Sequence, residues 1–338
     1  MKKPEISVVI PTYNRPVSLM NTLDALSRQT YPLFEVIIVD SSDTKPDYEH
    51  IQSLFQSLKL VVIDSEASVC IQRNKGIQQS KSEYVFLCDD DIEAPPDYVE
   101  KLAGFLAQNP DIRAVSGLVM QKDTHNDWIY QYPPGTFGKL LFLFIFQLSI
   151  WGDLKDIKCN FFLKPILFLI IKFYQWRGNT YSLGGWPLLT DFNSQVIKTK
   201  FYGIGASIIK REWLLASPYD EVLDPNGIGD NYGVILGFPE KQRLYLLKDT
   251  YILHHQSPQN RLSQSNSYQR RVLALHYFLK TYRKFNFIHR LFFIWSLIGN
   301  GILYHFKKER DLKKANFKAL KLILKGKNPY IYKKNKSR

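Results

Sequence analysis

Short β-branched apolar runs recur along the first third of the chain, each followed by a stretch with helical spacing. The runs are ISVVIP (6–11), EVIIVD (35–40), LVVI (60–63), YVFLC (84–88) and IRAVSGLV (112–119). Nearly continuous apolar runs of this length suit strands buried on both faces, as in a parallel sheet. Between them Leu19, Leu23 and Leu26, and later Leu102, Phe105 and Leu106, share a helical face. Asn14 is placed to cap the first helix, with Pro16 close to its first turn. The alternation predicts βαβ units in a doubly wound sheet. Ligands of such sheets bind at the carboxyl ends of the strands, so the residues after each strand carry the functional signal.

The pattern breaks after residue 120. Residues 121–200 are rich in aromatics and hold two apolar stretches, 140–151 and 161–176, the second interrupted by Lys164, Pro165 and Lys172. Neither reaches the roughly 20 residues that span a bilayer. Residues 201–255 return to a mixed α/β pattern, strand-like over 202–210 and 243–255. Residues 268–325 read as helices and include an apolar stretch at 291–306, flanked by His289-Arg290 and Lys307-Lys308. The expected organisation is an α/β region over 1–260, with halves at 1–120 and 201–260 around an insertion at 121–200. A basic, membrane-associating helical region follows over 261–338.

Charge sharpens that division. The chain carries 45 Lys and Arg against 31 Asp and Glu, a net charge of +14. Residues 280–338 alone hold 17 basic and 2 acidic residues, so everything before them is close to neutral. A localised basic tail suits anionic lipid or nucleic acid. No nucleic-acid module accompanies it, so a membrane surface is the expected partner and nucleic acid is not. Cys70, Cys88 and Cys159 are far apart and form no CxxC, which fits a reducing compartment. No secretory-signal pattern opens the sequence. The expected location is cytoplasmic, peripheral at the inner face of the cell membrane.

The strand ends carry the chemistry. Pro11-Thr12-Tyr13-Asn14-Arg15 follows the first run, Asp40-Ser41-Ser42-Asp43 closes the second, and Asp89-Asp90-Asp91 follows the fourth. Three adjacent carboxylates repel one another unless a cation neutralises them. Mg²⁺ or Mn²⁺ prefers oxygen ligands and shares them with substrate phosphates. Asp97, near Pro95-Pro96, is placed to offset a helix dipole. Asp40 is placed to accept from a ribose hydroxyl or a base N–H. No G-x-G-x-x-G follows the first run and no P-loop occurs, which disfavours a dinucleotide fold or a P-loop NTPase.

ISVVIPTYNRP, EVIIVDSSD, SVCIQRNKGI and YVFLCDDDIEAPPDYVEKL resemble the successive motifs of the family 2 glycosyltransferases with the GT-A fold. The likeness is close over residues 5–120 and looser over 200–255. It implies an α/β fold with a mixed, mostly parallel central sheet flanked by helices, and a C-terminal helical extension. It also implies transfer of a hexosyl or deoxyhexosyl group from a nucleoside diphosphate sugar to an acceptor hydroxyl, with inversion. The acceptor would be a glycan, often lipid-linked, in cell-surface polysaccharide synthesis.

Carried over by residue, the likeness places Pro11, Thr12, Tyr13 and Arg15 around the nucleotide and Asp40 on its base or ribose. Arg73 and Asn74, in the RN-x-G pattern, fall near the diphosphate or sugar, as does Asp90. Asp89 and Asp91 match the two carboxylates of D-x-D. Asp91 is the direct ligand of Mg²⁺ or Mn²⁺, with Asp89 on the metal, ribose or sugar. His254 and His255 close a strand where the family often has a histidine, and His255 is taken as a further metal ligand.

The family's base follows a strand resembling GASIIKREW (205–213), and Asp230, in Gly229-Asp230-Asn231, falls at that place. Gly229 stands where the family has Glu, and Asp220 and Asp224 are alternatives. The Q-x-x-R-W signature of processive synthases is absent, which suggests one sugar added per acceptor. A nucleotidyltransferase and a catalytically silent sugar-nucleotide-binding subunit are the competing readings.

Overall fold

The computed structural model describes residues 3–223 and 225–336. Its backbone forms two compact units. The first runs through Tyr130 and resumes over Gln195–Lys198 and Tyr202–Arg261. The second comprises Gln131–Ser194, Thr199–Phe201 and the chain from Leu262 onward.

In chain order the elements begin with β1 (Ile6–Thr12), α1 (Pro16–Ser27), β2 (Glu35–Asp40), α2 (Tyr48–Leu54), β3 (Leu60–Asp64) and α3 (Val69–Gln79). There follow β4 (Tyr84–Cys88), β5 (Ile92–Glu93), α4 (Tyr98–Gln108), β6 (Ala114–Lys122) and β7 (Trp128–Ile129). The inserted segment supplies α5 (Phe137–Ile145), β8 (Ile150–Trp151), α6 (Lys164–Arg177) and β9 (Leu188–Leu189). The chain returns through β10 (Val196–Thr199), β11 (Ala206–Lys210), α7 (Arg211–Ala216), α8 (Asp230–Gly237) and β12 (Leu244–His254). It ends in α9 (Gln264–Thr281), α10 (Phe287–Phe306), α11 (Arg310–Leu324) and α12 (Pro329–Lys336).

The main sheet runs β10-β12-β6-β11-β4-β1-β2-β3, with β5 on β12 and β7 on β6. β1 pairs in parallel with β2 and β4, β2 with β3, and β6 with β12. β11 is antiparallel to both β4 and β6, so the sheet is mixed and mostly parallel among its longer strands. Strand order runs outward from β1 to β2 and β3 on one side and to β4 on the other. That reversal between β1 and β4 is the switch point where an open sheet offers a crevice.

Local sequence explains why the strand ends part there. All seven residues of β1 are buried, as the apolar run requires. Pro11 has no N–H to donate. Pairing of β1 with β4 ends at Val9, whereas pairing with β2 continues to Thr12 opposite Asp40. Buried Gln72, on α3, donates its amide to the Thr12 and Val39 carbonyls at 2.7 Å each and closes the β1–β2 side. A Cβ on Gly76 would come within 2.4 Å of Val9, so glycine at this position lets α3 sit directly on β1. The core beneath includes Val8, Ile10, Ile38 and Phe86, all without solvent exposure. Each such side chain contributes on the order of 1.5–3 kcal/mol by burial.

In the second unit, Phe137, Leu140, Ile170, Tyr174 and Leu188 form an apolar cluster around α5 and α6. Among the C-terminal helices, buried Asn316 on α11 donates to the Leu297 carbonyl of α10 at 2.8 Å and accepts from Tyr268 of α9 at 2.7 Å. α10 has 20 residues, longer than its apolar stretch suggested, because the Asn286 side chain accepts from the His289 N–H and starts the helix early. By length and composition alone α10 is sufficient to cross a membrane.

Candidate active site

The loops after β1 and β2 interlock. Asn14 does not cap α1. It adopts a left-handed backbone (φ 51°), donates to Asp43 at 2.7 Å and accepts from the Asp43 N–H at 3.0 Å. Asn is among the few residues that tolerate this conformation. The Tyr13 hydroxyl also reaches Asp43, at 3.3 Å. Asp40 is fully buried at the end of β2, where its oxygens accept from the Ser42 N–H and the Tyr48 hydroxyl, each at 2.8 Å. Two further lone-pair positions remain on such a carboxylate.

The acidic triplet divides by direction. Asp90 points to the β1 loop, accepting from Thr12 Oγ1 at 2.8 Å and from Arg15 at 3.0 Å. Arg15 also donates to the Gln259 carbonyl, at 2.9 and 2.7 Å, and ties this loop to the segment after β12. Burial pushes the Asp90 carboxyl up to about 6, with Asp91 adding repulsion, while Arg15 and Thr12 pull against them. Asp91 faces His254, whose Nε2 lies 3.1 Å away, and accepts from the Ser257 N–H at 2.9 Å and Arg261 at 3.2 Å. Burial alone would raise Asp91, yet His254, the Ser257 N–H and Arg15 outweigh it and hold the group at about 2. Burial opposes a charged His254 ring, but the Asp91 hydrogen bond and charge, with Asp89, raise it above its ordinary value.

Asp89, Asp91 and His254 offer ligand atoms that all lie within 4.8 Å of one another. Two carboxylate oxygens and one imidazole nitrogen form a donor set able to hold a divalent ion. His255 is turned elsewhere, with Nε2 2.9 Å from Glu93 and half of its side chain exposed. Its backbone N–H still donates to the Asp91 carbonyl at 3.0 Å, but its side chain points away from the Asp91 carboxylate.

Arg73 links the triplet to α8. It ion-pairs with Asp89 at 2.6 Å and with Asp230 at 2.5 Å, and lies 5.0 Å from the centre of the Tyr219 ring. Asp230 opens α8 after Gly229, which takes a left-handed backbone (φ 95°) that glycine adopts without strain. Its other oxygen accepts from the Asn231 N–H at 2.6 Å. Burial pushes the Asp230 carboxyl up to about 6 and Asp89 adds to it, against the pull of Arg73 and the Asn231 N–H. Asn74 holds the Tyr219 backbone at both ends, donating to its carbonyl and accepting from its N–H at 2.9 Å each, and so fixes the ring beneath Arg73. Asp220 accepts from the Val222 N–H at 3.2 Å, and Asp224 lies outside the described residues.

The structure thus brings Thr12, Arg15, Arg73, Asp89, Asp90, Asp91 and Asp230 into one network in the first unit. Pro11 is buried in β1 next to Thr12, and Asn74 joins the network only through the Tyr219 backbone. The sequence marks His254 only beside His255, with His255 taken as the ligand, and gives Arg261 and Gly205 no role of their own. A Cβ on Gly205 would come within 2.2 Å of the Asp89 carboxylate, and the Gly205 carbonyl accepts from the Asp89 N–H at 3.0 Å.

Residues 7–165 match the family described as glycosyl transferase family 2. A glucosyl-dolichyl phosphate glucuronosyltransferase of Haloferax volcanii is 33% identical over 135 residues, covering 38% of this chain and 41% of the relative. The amylovoran biosynthesis glycosyltransferase AmsB of Erwinia amylovora is 38% identical over 106 residues, covering 30% of this chain and 35% of the relative. The chain therefore spans about two fifths of the length of these curated relatives. In structure, the mannosyltransferase PcManGT from Pyrobaculum calidifontis, in complex with GDP-Man and Mn²⁺, superposes with a TM-score of 0.54 at 14% identity, over 96% of this chain and 88% of the other. That likeness shows the fold, which is GT-A. Residues 7–165 are thus similar to glycosyl transferase family 2, and the fold that carries them is GT-A.

Proposed function

We propose that the protein transfers a sugar from a nucleoside diphosphate sugar to an acceptor hydroxyl, with inversion and with the help of a divalent ion. One observation carries this reading: Arg73 joins Asp89 of the triplet to Asp230 at the switch point of the sheet. The loops of Pro11–Arg15 and Asp40 flank the same opening and would take the nucleotide, with Asp40 on its ribose or base.

Asp89, Asp91 and His254 would hold the ion, and the imidazole among the donors favours Mn²⁺ over the oxygen-loving Mg²⁺. Such an ion offsets charge on a leaving diphosphate. The chain's own groups do the rest. An incoming diphosphate beside Asp89 competes for the Arg73 guanidinium, which pairs well with phosphate oxygens. Release of Arg73 leaves the Asp230 carboxylate free to accept the acceptor hydroxyl proton. With Arg73 in place the group titrates near 6 and is ionised at neutral pH; losing the guanidinium raises it further and makes it a better base for that proton. The acceptor oxygen then bonds to the anomeric carbon as the anomeric carbon–oxygen bond breaks, and its electron pair leaves with the diphosphate.

The relatives include a dolichyl-phosphate enzyme and an amylovoran enzyme, which supports a lipid-linked glycan as acceptor in surface polysaccharide synthesis. A peripheral position on an anionic membrane, at its cytoplasmic face, suits that acceptor and the basic C-terminal region. The test is hydrolysis or transfer with a panel of UDP-, GDP- and dTDP-sugars, with Mn²⁺ or with chelator. Turnover of at least one donor that chelator abolishes is expected; binding of a donor with no turnover under any condition would favour a silent binding subunit.

A further inference from the structure

In the second unit, α6 is apolar on both faces. Its inner side packs Ile170 and Tyr174 into the core, with Phe144 of α5 edge-on to Phe173 and Tyr174. Its outer side and the turn before it expose Phe161, Phe162, Ile166, Phe168, Leu169 and Trp176, at 72, 83, 46, 58, 66 and 78%. A water-facing helix surface is ordinarily polar, and soluble proteins seldom leave a contiguous apolar patch of this kind.

The charges beside the patch select its occupant. Residues 157–190 contain Lys158, Lys164, Lys172 and Arg177 and no Asp or Glu. The Lys164 ammonium lies 5.5 Å from the centre of the Phe161 ring, and that of Lys172 lies 5.4 Å from Phe168. Aromatic rings and lysines therefore alternate on one surface. A second copy of this surface would set like charges against like charges. Anionic headgroups above acyl chains match both components. With 14 residues, α6 is about 21 Å long, too short to cross a hydrocarbon core of about 30 Å.

We propose that residues 161–177 form an in-plane membrane-insertion element. The outer face of α6 sinks among acyl chains while Lys158, Lys164 and Lys172 meet the phosphates of anionic lipids. This deepens the peripheral-membrane reading above and assigns it to a particular element outside the basic tail.

The test is flotation of the full chain with vesicles of phosphatidylcholine alone, or of phosphatidylcholine and phosphatidylglycerol in equal parts. Binding should be at least about tenfold stronger to the anionic vesicles. The triple variant Phe162→Ser, Leu169→Ser, Trp176→Ser changes only exposed positions and should weaken binding about 100-fold, with circular dichroism unchanged. Lys164→Glu with Lys172→Glu should remove the preference for anionic vesicles. Quenching of Trp176 by brominated acyl chains should disappear in Trp176→Phe. Flotation of the triple variant equal to the parent would overturn the proposal. So would a concentration-dependent dimer that the triple variant abolishes while flotation persists. Hydrolysis of donor sugar should be the same in parent and triple variant; no hydrolysis in either speaks against the transferase reading and leaves the flotation result standing.

Discussion

The two units use apolar residues in opposite ways. Among the described residues, the exposed large apolar side chains comprise six in the first unit and eighteen in the second. The first unit spends its apolar runs on a closed core and leaves polar groups at the strand ends. The second keeps a core of its own and still presents Phe162, Trp176, Phe287 and Phe306 to the outside. Residues with similar hydropathy therefore report two different things: interior in one unit, and both interior and exposed surface in the other.

Substitutions in the first unit should abolish chemistry and leave vesicle binding unchanged, which is the most direct way to break the comparison. The largest effect is expected at Asp91. Asp91→Ala removes a ligand and leaves Arg261 and His254 without their carboxylate, and should lower kcat/KM by on the order of 10³-fold or more in a donor hydrolysis assay.

Asp230→Asn comes next, with a loss of about 10²-fold in kcat and little change in donor affinity. Its stability should move the other way. The folded carboxyl titrates above its ordinary 3.8, so Asp230 favours folding below that value and loses that contribution as pH rises through about 6. At neutral pH the ionised form is the costly one, and the asparagine variant should match or exceed the parent Tm by calorimetry. A large fall in Tm would make Asp230 a structural residue instead.

Gly205→Ala should cost about tenfold in turnover with a near-parental Tm, because the methyl group displaces the Asp89 carboxylate and not the backbone. The smallest effect is the acid limb. Between pH 7 and 6 the parent rate should fall by about half as Asp230 gains a proton, and Asp230→Asn should lack that limb.

Much of the first unit was legible because buried parallel strands leave long apolar runs and functional residues must follow them. Each such run from 6–11 to 112–119 appears as a strand within a few residues, and the triplet stands at the switch point. Details that depend on distant register were not legible. Which of His254 and His255 meets Asp91 depends on the pairing of β12 with β6. There Leu247 lies opposite Gly117 and Tyr251 opposite Leu118, so three extra residues enter between neighbouring rungs. An odd insertion inverts the facing of everything after it, and nothing local in the sequence announces it. Gly205 lies 116 residues from Asp89 in the chain and reads locally as an ordinary strand-leading glycine. Asn14 looked like a cap because its partner Asp43 is in another loop. In the second unit the helices over 268–325 were legible, but 161–176 read only as an interrupted apolar stretch, because α6 is apolar on both faces and leaves no inner and outer side to tell apart.

Mn²⁺ binding tests the central claim most directly. Titration followed by electron paramagnetic resonance, in the presence of UDP or GDP, should show a site in the parent that His255→Ala leaves intact. His254→Ala should weaken it about tenfold or more, and Asp91→Ala should remove it. Parental Mn²⁺ affinity in Asp91→Ala, or loss in His255→Ala with none in His254→Ala, would contradict the account.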